Sequence, residues 1–178
     1  MRQRPFIHRR VTPMRFLLAL LLTLTCTATE IWAQDALPSV KLRNVAGELV
    51  NTADLSTNDK PVIVSFWATW CKPCVQELIA YNGLLEIWQK EYGATVIAIS
   101  IDDTRNAQKV PGFVKGRNWK FDVLLDVNQD FKRAMNVNNV PHTFLVHKGK
   151  VVWQHTAYSA GDEEDLEGEL KKLAGKTE

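Results

Sequence analysis

Apolar positions along residues 40–175 change period several times, and each change predicts a new element. Residues 61–67 (PVIVSFW) form a nearly unbroken apolar run rich in β-branched side chains. Such a run fits a strand buried on both faces. Cys74, Leu78, Tyr81, Leu85, Trp88 and Tyr92 then follow 3–4 spacing up to Gly93, which predicts an amphipathic helix of about five turns. Residues 94–101 (ATVIAISI) read as a second buried strand. Strand, helix and strand at these lengths make a βαβ unit with a right-handed crossover and parallel pairing. Upstream, residues 40–44 and 48–50 flank Ala46-Gly47 as a small hairpin. Downstream, residues 104–117 read as helical but short or broken, because they carry Pro111 and Gly112. A third strand is expected at 121–125 and another helical piece at 128–135. Residues 142–147 and 150–156 alternate about Lys148-Gly149 as an antiparallel hairpin. The last helix takes Asp162 as cap, Glu163 and Glu164 in its first turn, Lys171 and Lys172 near its end, and Gly175 as stop. The order is βαβ, an inserted βα segment, then ββα, an α/β chain.

The N-terminus has a different pattern. Residues 1–15 carry five Arg and no acid, and the apolar run FLLALLLTLTCTA occupies 16–28. A basic stretch, a dozen apolar residues and a small residue before a polar chain predict a secretory signal peptide over 1–33, cleaved after Ala33. Met14 offers an alternative start. An uncleaved anchor is the rival reading, but the apolar run is short of the ~20 residues a spanning helix needs. Residues 34–39 then form a tether and 40–178 a single domain, since no repeat or Pro/Ser/Gly-rich linker interrupts it. The composition, 46% hydrophobic and 24% charged, excludes a collagen-like or wholly disordered chain. The net charge of +2 hides an asymmetry: five Arg and one Glu in the leader carry +4, so the rest of the chain sums to −2. That balance gives no reason to expect a nucleic-acid partner.

Of three cysteines, Cys26 lies in the leader, which leaves Cys71 and Cys74 for an exported protein in an oxidising periplasm. Trp70-Cys71-Lys72-Pro73-Cys74 stands at the junction of a buried strand and a long helix. Two thiols three residues apart on a first helical turn can close a disulfide with little backbone motion. Cys71 faces unpaired backbone N–H groups and the positive end of the helix dipole, and with nearby Lys72 these favour the attacking thiolate. Cys74, one turn deeper, is then the resolving thiol. Pro73 is tolerated because first-turn N–H groups have no intrahelical partner. Half of a zinc site is the rival reading, but zinc needs two further ligands, and His142, His147 and His155 show no paired-ligand spacing.

Residues 66–74 (FWATWCKPC) resemble the active-site segment of thioredoxin-fold proteins, and most of all the exported TlpA/ResA-like thiol–disulfide oxidoreductases. Val140-Pro141-His142-Thr143-Phe144 resembles the cis-proline loop of that family, and the likeness spans roughly residues 38–175. The resemblance implies a thioredoxin-like fold and a reductase of exported protein disulfides that needs no cofactor. By the same resemblance, apocytochrome c is expected among its substrates and a membrane thiol-reductant transporter as its electron source. It also implies that Pro141 is cis and that Val140 offers its backbone to a substrate strand. The extra segment at about 104–127 matches the insertion that marks this subgroup. Trp70 is the expected substrate-contacting aromatic, and Trp67 packs in the core. Two positions depart from the pattern. Ser65 stands where cytosolic thioredoxins carry a buried Asp, so the proton acceptor for Cys74 is unassigned; Glu77 is a candidate, against its reading as a solvated helix-face residue. His142 replaces a common Thr, and is either a positive charge favouring the Cys71 thiolate or a half-exposed strand residue. Asp102 and Asp103 are read as caps of the following helix. Three other activities stay open: a copper metallochaperone using Cys71, Cys74 and His142, a disulfide oxidase or isomerase, and a peroxiredoxin. Against the last, Thr69 lies two rather than three residues before Cys71.

Overall fold

The computed structural model describes residues 37–176, which fall within one compact unit, Gln34–Glu178. The expected signal peptide, its cleavage point and the alternative start at Met14 lie outside the described residues. In chain order the elements are β1 (Lys41–Asn44), β2 (Leu49–Asn51), β3 (Val62–Trp67), α1 (Lys72–Tyr92), β4 (Thr95–Ser100), α2 (Val110–Gly116), β5 (Asp122–Leu125), α3 (Asp130–Ala134), β6 (His142–His147), β7 (Lys150–Thr156) and α4 (Asp162–Leu173). The seven strands form one mixed sheet in the order β2-β1-β5-β4-β3-β6-β7. β3 pairs parallel with β4, and β4 with β5. β6 runs antiparallel to both β3 and β7, and β1 runs antiparallel to β2 and β5. This is an α/β thioredoxin-like architecture with an N-terminal hairpin added at one edge.

All six residues of β3 are buried, which is why its sequence shows no polar alternation. Phe66 packs on Phe131 of α3 and on Phe144 of β6, while Trp67 packs on Phe113 of α2 and Trp119 beyond it. Trp67 is therefore a core residue. The inserted helix is short, as expected, but Pro111 does not break it. A 3-10 turn, Ala107–Lys109, leads into α2, and Pro111 falls in its first turn, where the missing N–H has no partner to lose.

α1 starts on Cys71 as its cap and stops at Gly93, whose φ of 67° is open to glycine at little cost. Its buried face carries Cys74, Glu77, Leu78, Tyr81, Leu85 and Trp88. α4 packs beside it, with Trp88 Nε1 and Tyr92 Oη both donating to Glu167, at 3.4 and 3.2 Å. One cap differs from expectation. Gly161, at φ 108°, occupies the cap of α4 and Asp162 is its first residue. The Asp162 carboxylate still accepts the Ser159 N–H at 2.7 Å, so it serves the helix start from inside the first turn.

Candidate active site

The dithiol sits where β3 hands over to α1. After Trp67 the chain turns at once: the Cys71 N–H donates to the Ala68 carbonyl at 3.1 Å. Cys71 has extended backbone as cap, Pro73 lies in the first turn, and the two cysteines are joined in a disulfide with Cα atoms 5.3 Å apart. The Cys74 N–H donates to Cys71 Sγ at 3.3 Å, so a first-turn donor already points at the outer sulfur. Cys74 is completely buried. Lys72 and Pro73 are exposed beside the pair, and Trp70 stands out at 64% exposure.

The Val140–Pro141 peptide is cis, as the resemblance implies. Pro141 is buried, its carbonyl accepts the Ala157 N–H at 3.0 Å, and the Val140 carbonyl oxygen lies 3.8 Å from Cys71 Sγ. A disulfide sulfur has no proton to give, so in this oxidised state that approach is a contact. A groove of about 310 Å³ runs beside it between Pro73, Val140, Pro141, Ala157 and Tyr158.

Glu77 is not a solvated helix-face residue. It is 1% exposed, one turn beyond Cys74 on the buried face of α1. Ser65 Oγ donates to its Oε2 at 2.7 Å, and Thr143 Oγ1 and Tyr81 Oη donate to its Oε1 at 2.9 and 3.1 Å. Burial pushes its carboxyl up to about 7, against the lowering pull of the three hydroxyls and of the His155 charge. Ser65, on the strand, thus holds a buried carboxyl that comes from the helix.

His142 also differs from both expectations. It is 8% exposed, stacked on Phe144 with ring centroids 4.3 Å apart, and its Nε2 lies 3.2 Å from Gln154 Oε1. Burial holds its pKa below the usual histidine range, so at neutral pH the ring offers no positive charge to Cys71. The two consecutive acids part company as well. Asp103 caps the following turn by accepting the Arg105 and Asn106 N–H groups, as expected. Asp102 is buried and accepts instead from Thr69, back on the dithiol loop.

The structure therefore brings Cys71, Cys74, Val140, Pro141 and, beneath them, Glu77 into one place, with Trp70, Lys72 and Pro73 at its rim. Sequence reading missed the burial of Glu77 and of Asp102. For Glu77 a signal existed: three residues after Cys74 and four before Tyr81, it lies on the same stripe as the apolar positions. For Asp102 no local signal exists, because its partner is 33 residues away.

Comparison with known proteins agrees with this geometry. The AhpC/TSA family model matches residues 33–154. The thiol–disulfide oxidoreductase ResA of Bacillus thuringiensis (strain Al Hakam) is 36% identical over 137 residues, covering 76% of this chain and 75% of the relative. The solution structure of an uncharacterized thioredoxin-like protein from Porphyromonas gingivalis is 45% identical, with a TM-score of 0.71 over 80% of this chain and 94% of that one. A crystal structure assigned as the thiol:disulfide interchange protein DsbE of Chlorobium tepidum is 27% identical, with a TM-score of 0.69 over 79% and 96%. With its dithiol closed as a disulfide at a helix start, the chain belongs to the AhpC/TSA family and, within it, to the ResA-type thiol–disulfide oxidoreductases.

Proposed function

We propose that the protein is a periplasmic reductase of disulfides in exported proteins, with residues 1–33 as its leader and 40–178 as its working domain. The observation that carries the catalytic part is the vertical order of the site: an outer sulfur at a helix start, an inner buried sulfur, and a buried carboxyl one turn below. The reduced Cys71 thiolate attacks a substrate disulfide and forms a mixed disulfide, expelling one substrate thiolate. Glu77 takes the Cys74 proton, Cys74 attacks Cys71 Sγ, and the second substrate thiolate leaves. Two electrons have moved to the substrate and the protein disulfide remains. A thiol donor outside this chain must reduce it again, and a membrane thiol-reductant transporter fits that need in an oxidising compartment. Apocytochrome c, which must present reduced cysteines, fits as substrate. Incubation with defined glutathione mixtures tests the direction of transfer: a reductase equilibrates well below the ~−180 mV of protein disulfide isomerase. A potential near −120 mV, at the DsbA end, overturns the reductase reading and favours an oxidase.

Trp70 supplies the contact surface. A largely exposed aromatic next to Cys71 in the chain can cover an extended chain passing over the dithiol, while Pro73, Val140 and Pro141 line the groove beside it. Trp70→Ala raises KM for a protein disulfide about tenfold and leaves the reaction with a small disulfide such as oxidised glutathione within twofold. Equal losses with both substrates remove Trp70 from the binding surface.

A further inference from the structure

Asp102 lies two residues beyond the end of β4, is 1% exposed, and both of its oxygens are engaged. The Thr69 N–H donates to Oδ2 at 2.9 Å, and the Thr69 hydroxyl donates to Oδ1 at 2.6 Å. Ser100 Oγ donates to Oδ2 at 2.9 Å, while itself accepting the Asp102 N–H at 3.2 Å. All three donors are neutral groups, so they solvate the carboxylate without cancelling its charge.

Thr69 lies two residues before Cys71, inside the turn that the Cys71 N–H closes on the Ala68 carbonyl. Two residues span at most ~7 Å, so the carboxylate is held within about 10 Å of the Cys71 backbone, and its sulfur is only a side chain further. A unit charge at about that distance, at an effective dielectric near 20, shifts an ionisation equilibrium roughly tenfold. Its sign opposes the helix N-terminus and Lys72, both of which favour thiolate. Other titratable groups near the pair, among the described residues, include Glu77 on α1 beyond Cys74, Tyr158 in the groove beside Pro73 and Val140, and His142 on β6, turned to Phe144 and Gln154.

We propose that Asp102 is a positioning residue for the dithiol, which pins the turn before Cys71 through both donors of Thr69 and sets a carboxylate near the outer cysteine. A thiolate stabilises the reduced form, and strong oxidants of this fold owe their potential to a stabilised reduced state. A carboxylate that resists thiolate formation moves the pair the other way, toward the reducing end. This role rests on the thiol-exchange chemistry above but not on the direction assigned to it.

The test uses Asp102→Asn, Thr69→Val and, as a surface control, Asp103→Asn. Two quantities are read: the equilibrium of each protein with glutathione, and the ionisation of Cys71 followed by thiolate absorbance. Asp102→Asn is expected to move the equilibrium constant about tenfold toward the reduced protein, some 30 mV more oxidising, and to let Cys71 ionise about one pH unit lower. Thr69→Val keeps the charge and the N–H bond but removes the hydroxyl donor, which loosens the turn, so Cys71 ionises as in the wild type while exchange slows severalfold. Asp103→Asn leaves both readouts unchanged. An Asp102→Asn protein within twofold of wild type in both readouts overturns the proposal. If that variant does not fold, wild-type exchange rates in Thr69→Val overturn it instead. The wild-type potential alone decides the reductase reading, whereas Asp102 is judged by the difference between variant and wild type, so either can fail without the other.

Discussion

Replacing Cys71 with Ser abolishes disulfide exchange, whereas replacing Cys74 with Ser leaves an enzyme that attacks its substrate and then stalls. The asymmetry follows from depth and from the helix start. Cys71 is the cap of α1, receives the Cys74 N–H, and adjoins the Val140 carbonyl at the groove. Cys74 is completely enclosed, so an incoming disulfide cannot reach it without unfolding the first turn of α1. A serine hydroxyl at neutral pH is a far weaker nucleophile than a thiolate, and a loss of at least 10⁴-fold, on the order of 6 kcal/mol in the barrier, is expected for Cys71→Ser. Cys74→Ser removes only the resolving step. The mixed disulfide on Cys71 then accumulates and can be isolated with its partner still attached. Captured from the periplasmic fraction of cells that express the full chain, such an adduct identifies the substrate, and a trapped chain found to begin at Gln34 checks the leader at the same time. Exchange that survives Cys71→Ser reverses the assignment of the two sulfurs.

Glu77→Gln has the second largest expected effect, and it separates into two measurements. A glutamine cannot take a proton, so the step in which Cys74 resolves the mixed disulfide slows by about 10²-fold or more, while attack by Cys71 is unchanged. Rapid-mixing kinetics with a fluorescent disulfide substrate distinguishes the two steps, and an unchanged resolution rate removes Glu77 as proton acceptor. The second measurement is stability against pH. In the folded protein burial raises the Glu77 carboxyl from its ordinary 4.5 to about 7. Between those values the folded state keeps a proton that the unfolded chain has released, so stability falls as pH rises through the window and is level outside it. The full cost above pH 7 is about 3 kcal/mol. Urea unfolding of the oxidised protein shows this slope in the wild type, and Glu77→Gln flattens it. A slope of the same size in the variant assigns it to another group.

Much of this was readable along the chain. The six-residue run of β3 needs no partner to be recognised, because burial on both faces leaves no polar position in it. The stop of α1 at Gly93, the turn at Lys148-Gly149 and the order of strands and helices depend on neighbours within a few residues. The dithiol belongs to the same class: spacing, a first helical turn and Pro73 are all local, and the disulfide Cys71–Cys74 is the result. The resemblance of residues 66–74 and 140–144 to one family added the facing loop, which local pattern alone does not connect to the cysteines.

What stayed hidden is of one kind. Glu77 carries a charge-bearing side chain in a helix rich in exposed positions, and solvation is its default state. Its burial depends on Tyr81 one turn on and on Ser65 and Thr143, neighbours across β3 and β6 and 12 and 66 residues from it in the chain, which all turn their hydroxyls to it. Burial against Phe144 holds His142 below the usual histidine range, although its bond to Gln154 pulls the other way, and Asp102 faces Thr69 because β3 and β4 end side by side. The sequence by itself determined where the sulfurs stand, which of them opens the helix, and the strands that carry them. Only the tertiary structure decided which ionisable groups surround them and in what state, since the free energy of a buried charge depends on donors that the fold, and not the local chain, brings within hydrogen-bond reach.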